Sequence, residues 1–160
     1  MRDALISRAN CSELDTMASQ IPKPTNPLVT ALLTDLYQIT MAYAYWLSGG
    51  HRDAAVFELF FRKNPFGGEF TIFSGLDECI KHLSHFRFTK SDVAFLQGLP
   101  ALQHCDSGFW TYLEGLDASE VSVQALPAGT VSFPKVPLII IEAPLAIGQL
   151  LETTLLTLMN

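Results

Sequence analysis

The residues best suited to chemistry lie together near position 35, where a hydroxyl, a carboxylate and a phenol occur within four positions: Thr34, Asp35 and Tyr37. Thr34 and Asp35 are residue types that cap helices, because their side-chain oxygens accept hydrogen bonds from the first free backbone N–H groups. If Asp35 is the cap, Gln38 stands at the third helical position and completes a reciprocal capping box. A helix that begins here carries Tyr37 in its first turn, so Tyr37 or Asp35 can reach from the helix start into a binding site.

The same stretch has a purely structural interpretation, which is that it forms a core helix. Most residues between Leu36 and Leu47 are apolar, and a helix that is apolar on nearly all sides is buried on more than one of them. Gly49-Gly50 supplies the stop, because glycine adopts the left-handed conformation that ends a helix. Residue chemistry alone favours the core helix but leaves both interpretations of Tyr37 open.

No other group of residues forms a recognisable active site. The four histidines and three cysteines have none of the spacings typical of metal ligands, and Ser74-Gly75 lacks the pattern of a nucleophile elbow. Gly67-Gly68 lacks the glycine-rich run and following lysine of a phosphate loop, so a hairpin turn is the favoured interpretation there. The sequence therefore predicts no catalytic residue and no metal ligand in this chain.

Composition excludes several classes of protein. At 160 residues the chain has the length of a single domain, and with 49% hydrophobic and 16% charged residues it needs a large core or a partner surface. Its net charge of -6 argues against a nucleic-acid partner, which requires a basic surface. No apolar run is long enough to span a membrane, and no signal peptide is recognisable. The odd cysteine count is typical of a cytosolic protein with reduced thiols.

Apolar periodicity and turn residues predict the elements that position these groups. Helices are predicted at 34–47, 75–83, 89–97, 109–116 and 145–160, and strands at 54–63, 69–73, 121–125, 131–133 and 138–142. The strand over 54–63 has apolar residues on both faces and is predicted to be covered on both sides, with 69–73 as its hairpin partner. The later strands are typical of a small antiparallel sheet or sandwich, so the predicted fold class is α+β.

The two ends of the chain lead to separate predictions. Prolines at 22, 24 and 27 break regular structure, so residues 1–27 are predicted to be a disordered tail and residues 28–160 the folded domain. The last predicted helix reaches Asn160 with no glycine, proline or polar tail to end it. The folded domain is therefore expected to be incomplete at its C-terminal end, in a fragment or a truncated product.

Several segments in order closely resemble the N-terminal portion of nicotinate phosphoribosyltransferases. The two most specific segments read LTDLYQITM over 33–41 and FELFFRKNPFGG over 57–68, and the others are SGL over 74–76, ALPAG over 125–129, PL over 137–138 and QLLET over 149–153. The resemblance covers about residues 28–160. It implies the N-terminal domain of a type II phosphoribosyltransferase, without the C-terminal α/β barrel.

The resemblance also implies a reaction, which belongs to NAD salvage. In this family nicotinate and 5-phosphoribosyl 1-diphosphate give nicotinate mononucleotide and diphosphate, with ATP hydrolysis coupled through a phosphorylated histidine. Mg²⁺ and ATP are therefore implied for the full-length enzyme, but no residue of this chain is expected to bind them. The phosphorylated histidine and most substrate contacts lie in the barrel, beyond Asn160. The family also implies a cytosolic homodimer.

For this chain the resemblance assigns one site residue, Tyr37, and more weakly Asp35. The family places the tyrosine of this motif against the pyridine ring of nicotinate, in a site that the neighbouring subunit completes. Asp35 serves the same site only if it occupies the non-helical cap, because residues two apart on a helix point in nearly opposite directions. Two functions remain open: part of a nicotinate phosphoribosyltransferase, or an inactive product that acts as an interaction or dimerisation module for the full-length enzyme.

Overall fold

The computed structural model describes residues 7–10 and 21–159. Within them it contains five α-helices: α1 (Leu36–Ser48), α2 (Leu76–Ser84), α3 (Lys90–Gln97), α4 (Ser107–Glu114) and α5 (Leu145–Met159). The strands are β1 (Ser7–Asn10), β2 (Ala54–Leu59), β3 (Thr71–Ile72), β4 (Ser122–Ala125), β5 (Val131–Ser132) and β6 (Ile139–Pro144). The predicted α+β class is confirmed. None of the helices in these residues is long and apolar enough to cross a membrane.

The strands form two antiparallel sheets. The larger sheet has the order β1-β4-β6-β2, and β3 pairs with β5 in a two-stranded sheet. In the larger sheet Phe57 of β2 and Val123 of β4 both stand opposite Ile141 of β6, so all three side chains share one face. That face packs against α5 and forms the core, while Glu142 on the other face accepts a hydrogen bond from Gln124 at 3.1 Å. The predicted antiparallel sheet is therefore present, with only one face covered.

The one-sided cover of the sheet corrects the prediction for the strand over 54–63. Burial alternates along β2, with Phe57 and Leu59 half-buried and Val56 and Glu58 exposed. Val56 leaves 65% of its surface accessible. The prediction of two covered faces was wrong because α5 packs on the inner face alone.

The hairpin predicted at Gly67-Gly68 is also wrong. β2 pairs with β6, whereas β3, which follows the glycines, pairs with β5 in the other sheet. Between β2 and β3 the chain makes a short 3₁₀ turn at Pro65–Gly67. The local sequence signalled a turn correctly, but the long-range partners of the two strands differ, so the turn connects sheets and not neighbouring strands.

The predicted disordered tail needs correction at four residues. Ser7–Asn10 form β1, whose backbone pairs with Ser122–Ala125 at an edge of the larger sheet that would otherwise leave its N–H and C=O groups unpaired. Residues 21–27 form no helix or strand, as their prolines predict, yet Thr25 donates from its backbone N–H to Glu78 at 2.8 Å. The remainder of the predicted tail, at 1–6 and 11–20, lies outside the described residues.

Both ends of α1 match the sequence. Asp35 is the N-cap, with an extended backbone, and its N–H donates to Oε1 of Gln38 at 3.0 Å, which is the Gln38 half of the predicted capping box. Gly49 ends the helix in the left-handed conformation at a φ of 79°. This local chemistry fixes where Tyr37 stands relative to the helix start.

At Gly148 α5 approaches the sheet closely. A Cβ atom placed on Gly148 would lie 2.2 Å from the ring of Phe57, a distance that real Cβ atoms do not reach. The neighbouring ring, and not the backbone conformation, is therefore what favours glycine at this position. Its absent side chain lets the first turn of α5 rest directly on β2.

One titratable side chain lies in the core without a hydrogen-bond partner at one nitrogen. His82 of α2 is 2% exposed, packs edge-on against Phe86, and its Nε2 has no partner. Burial lowers the pKa of His82 from 6.5 to about 4, because the charged imidazolium is poorly solvated there. The folded protein therefore holds this imidazole neutral at pH 7.

We expect folding stability to fall on mild acidification because of His82. Its pKa is lower in the folded state, so the unfolded chain binds the extra proton, and stability present above about pH 6.5 is lost as the pH falls towards 4. The free energy of unfolding should drop by about 2 kcal/mol between pH 7 and pH 5 from this group alone. Urea unfolding of the wild type and of His82→Phe at the two pH values measures it.

The variant should lose most of this pH dependence, whereas replacing an exposed histidine, His104→Asn, should leave it intact. An unchanged pH dependence in folded His82→Phe would contradict the assignment. Hydrogen bonds with Lys81 and Thr25 lower the pKa of Glu78 to about 2. Its contribution to folding stability therefore changes mainly below pH 4.5, outside the range in which the effect of His82 is measured.

Candidate functional site

Tyr37 lies on the surface of α1 and not in the core. Its side chain is 47% exposed, whereas Ile39 and Ala42, further along the same helix, are 1% and 0% exposed. The interpretation of this stretch as a core helix is therefore correct for the face that carries Ile39 and Ala42. It is wrong for Tyr37, and the predicted burial on more than one side is wrong too, because Leu36 and Leu47 are 45% and 61% exposed. The aromatic ring is open to contact with a molecule outside the described residues.

Asp35 and Tyr37 share one side of the helix start because Asp35 is the non-helical cap. The backbone of Asp35 has φ -87° and ψ 149°, which is extended. Its Oδ2 accepts a hydrogen bond from Oγ1 of Thr153 on α5 at 2.7 Å. The condition under which both residues serve one site is thus met, and α5 fixes the direction of the carboxylate.

Gln38 joins the two helices from inside. It is fully buried, and its Nε2 donates to the backbone carbonyl of Gln149 at 2.7 Å and to Oε2 of Glu152 at 3.3 Å. Its Oε1 accepts from the N–H of Asp35 and pairs with Thr34 Oγ1. Every polar atom of the buried amide therefore has a partner, which avoids the cost of an unsatisfied group.

Glu152 stands at the centre of these contacts. Besides Gln38, Gln149 donates to its Oε2 at 2.9 Å. Burial, followed by the negative charge of Glu152, raises the pKa of the Tyr37 phenol, and the charge of Asp35 adds to this effect. The phenol, which is neutral at pH 7 even at its ordinary pKa, therefore keeps its proton as a donor. We call Asp35, Tyr37, Gln38, Glu152 and Thr153 the helix-start cluster.

Sequence reasoning missed the part of this cluster that comes from α5. Gln149, Glu152 and Thr153 were recognised as a family motif but given no role. A signal was present, since three polar residues at spacing i, i+3 and i+4 form one face of an otherwise apolar helix. Such a stripe predicts a polar contact with another element, although it does not name the partner.

Other candidate groups are not joined to the cluster. Among the hydrogen bonds of the described residues, none links Arg62 or Gly67-Gly68 to it. Residues 7–10 and 21–159 also contain no group of three or more histidine, cysteine, aspartate or glutamate side chains that could hold a metal ion. The described part of this chain therefore does not fit a Mg²⁺ site of its own. What the cluster offers is an exposed aromatic ring flanked by two carboxylates.

Comparison with known proteins decides the family. The family model described as the nicotinate phosphoribosyltransferase N-terminal domain matches residues 32–160, which include both helices of the cluster. The chain belongs to the nicotinate phosphoribosyltransferase family. The resemblance found in the sequence is thereby confirmed.

Relatives and a solved structure agree with this family. Nicotinate phosphoribosyltransferase 2 of Arabidopsis thaliana is 54% identical over 140 residues, covering 88% of this chain and 25% of the relative. The human nicotinate phosphoribosyltransferase is 48% identical over 145 residues, covering 90% of this chain and 27% of the relative. A crystal structure of human nicotinic acid phosphoribosyltransferase matches with a TM-score of 0.73 at 51% identity, over 79% of this chain and 25% of that one. The chain thus spans about a quarter of the length of these relatives.

We expect truncation of Gln38 to lower the free energy of unfolding much more than truncation of Tyr37. Gln38→Ala leaves a cavity in place of the fully buried amide and removes its hydrogen bonds to Asp35, Gln149 and Glu152, so it should lower the free energy of unfolding by about 2–4 kcal/mol. Tyr37→Ala removes a half-exposed ring and should change it by less than about 1 kcal/mol. Urea unfolding of the two variants provides the comparison. A loss as large for Tyr37→Ala as for Gln38→Ala would place Tyr37 in the core.

Proposed function

We propose that this chain supplies the N-terminal domain of an enzyme that joins nicotinate to 5-phosphoribosyl 1-diphosphate, forming nicotinate mononucleotide and diphosphate. The observation that carries the proposal is the family match over residues 32–160. The exposed ring of Tyr37 within the matched region supports it, because a surface tyrosine held at a helix start has no evident role in the core. The alternative of an inactive interaction module has no observation in its favour.

In this proposal Tyr37 binds the pyridine ring of nicotinate. A flat aromatic side chain stacks on a flat heteroaromatic ring, and such stacking is worth about 0.5–1.5 kcal/mol beyond the buried area. The backbone of Tyr37 is fixed by the cap at Asp35 and by the buried amide of Gln38. The ring therefore enters the site already positioned, which reduces the entropy lost on binding.

The charges of the helix-start cluster suggest how nicotinate is oriented. Nicotinate carries a carboxylate, and Asp35 and Glu152 place two further carboxylates next to Tyr37. Among the described residues neither forms a salt bridge. Like charges repel, so we propose that nicotinate stacks with its carboxylate turned away from α5, towards cationic groups that the rest of the enzyme supplies.

The remaining features of the reaction are also proposals. We propose that the complete enzyme acts in NAD biosynthesis in the cytosol, as a homodimer whose neighbouring subunit completes the site around Tyr37. We propose that Mg²⁺ and ATP bind to other parts of that complete enzyme. What this chain contributes is binding and orientation of the pyridine.

We expect Tyr37→Ala to raise the KM for nicotinate about 3- to 10-fold while the KM for 5-phosphoribosyl 1-diphosphate changes little. Stacking touches the pyridine alone, so its loss removes binding of one substrate. The measurement uses a chimera in which this chain replaces the matching quarter of the Arabidopsis relative, and it determines both KM values and kcat.

Two variants make the comparison specific. Tyr37→Phe keeps the ring and should retain most of the nicotinate affinity. Phe95→Ala removes a ring that is 58% exposed on α3 and should change neither KM value. Equal increases in both KM values for Tyr37→Ala would show that the residue acts on folding or assembly and not on the pyridine.

We expect the 160-residue chain alone to form no nicotinate mononucleotide, yet to assist a full-length partner. Added to a full-length relative whose own matching tyrosine is replaced by alanine, it should restore part of the turnover if subunits exchange. The chain carrying Tyr37→Ala is the matched control and should restore none. Turnover by the chain alone, or equal rescue by the control, would contradict the proposed division of the site.

A further inference from the structure

A cavity lies on another part of the surface, where residues 23–31 pass over the end of α2 and the start of α3. Its volume is about 760 Å³, within the usual range for small-molecule pockets. None of its lining residues belongs to the helix-start cluster around Tyr37. The family match and the proposed function assign nothing to it.

The rim of this cavity carries unpaired positive charge and hydroxyl groups. Lys23 and Arg87 both line it, and neither forms a salt bridge among the described residues. Thr89 and Ser91, whose hydroxyl oxygens lie 2.8 Å apart, line the same cavity at the N-terminus of α3. Cationic side chains, hydroxyls and the positive end of a helix are the groups that bind phosphate in proteins.

The wall of the cavity adds an unsatisfied polar group. His82, which is 2% exposed, lines the cavity, and its Nε2 has no hydrogen-bond partner. A buried nitrogen without a partner is costly, and in native structures it calls for an explanation such as a ligand. His82 therefore points to a bound molecule independently of the rim.

Part of the wall is apolar, although Asn26, Thr30 and His85 also line the cavity. Pro24, Pro27, Val29 and Ala31 line the cavity beside His82. Such a surface gains nothing from an inorganic ion but can cover the carbon skeleton of a larger molecule. Asp92 also lines the cavity, and its carboxylate is engaged by the N–H of Thr89 at 2.8 Å, which caps α3.

We propose that this cavity binds a small organic phosphomonoester, with the phosphate at Lys23, Arg87 and the start of α3 and the organic body against the prolines and His82. Phosphate is favoured over carboxylate because Lys23 and Arg87 offer two cationic groups, which match the charge of a phosphomonoester better than the single charge of a carboxylate. The hydroxyls of Thr89 and Ser91 hydrogen-bond each other, which leaves one of the two protons free to donate to the phosphate. The imidazole supplies a hydrogen bond to a polar atom of the body. The proposal stands independently of the role of Tyr37.

Calorimetric titration of the 160-residue chain with three probes tests the proposal. AMP carries phosphate and an organic body, inorganic phosphate carries the charge alone, and adenosine carries the body alone. AMP should bind saturably and more tightly than either of the others. Arg87→Gln and Lys23→Gln, at exposed positions that folding tolerates, should each weaken AMP binding about tenfold.

Controls separate a site from general charge attraction. Arg62→Gln and Lys63→Gln remove the same charges from exposed positions outside the cavity and should leave AMP binding unchanged. His82→Phe, once urea unfolding shows that it folds, should also weaken binding; if it does not fold, a shift of the His82 ring NMR signal on adding AMP to the wild type replaces it. Absence of saturable AMP binding, equal weakening by Arg62→Gln, or equal affinity for inorganic phosphate would overturn the proposal.

Discussion

A buried amide must find partners for all its polar atoms, and the way Gln38 meets this requirement determines the arrangement of the rest of the site. Its nitrogen reaches the backbone and a carboxylate of α5, while its oxygen serves the cap of its own helix. Rotating or shifting either helix would strand these groups in a place where water cannot replace them. The junction of α1 and α5 is therefore specified by directional bonds, in a core that is otherwise held by apolar packing.

This junction explains how a tyrosine can be both exposed and well placed. The residue next to Gln38 along α1 must point in another direction, and the extended cap at Asp35 turns the chain so that the Tyr37 ring faces outward beside Glu152 and Thr153. A residue anchored in the core, Gln38, is thus adjacent to a residue whose ring surface is exposed, Tyr37. Such a pairing is suited to binding flat molecules, because little motion has to be lost when the ring is covered.

The sequence predicted best what neighbouring residues decide. Asp35 as the cap, Gln38 at its third position and Gly49 at the end all follow from local hydrogen bonding and backbone preference. It predicted less well what distant residues decide. β3 pairs with β5 and not with β2, and one face of β2 stays uncovered, because these outcomes depend on partners about sixty to ninety positions away. The contact of Asp35 with Thr153 is equally non-local. Without the family resemblance, both interpretations of Tyr37 would have remained open, because the sequence of a helix that is apolar on nearly all sides does not indicate which residue faces outward.

The lack of space for a side chain at Gly148 also restricts the position of α5 along the sheet. Any other residue of α5 in the place of Gly148 would bring a Cβ atom against the ring of Phe57, where it does not fit unless that ring shifts. Glu152 follows Gly148 by one helical turn, so the height at which its carboxylate meets α1 is measured from that point. The absence of a side chain at Gly148 thus helps to fix the position of α5 along the sheet, and with it the position of Glu152 relative to α1.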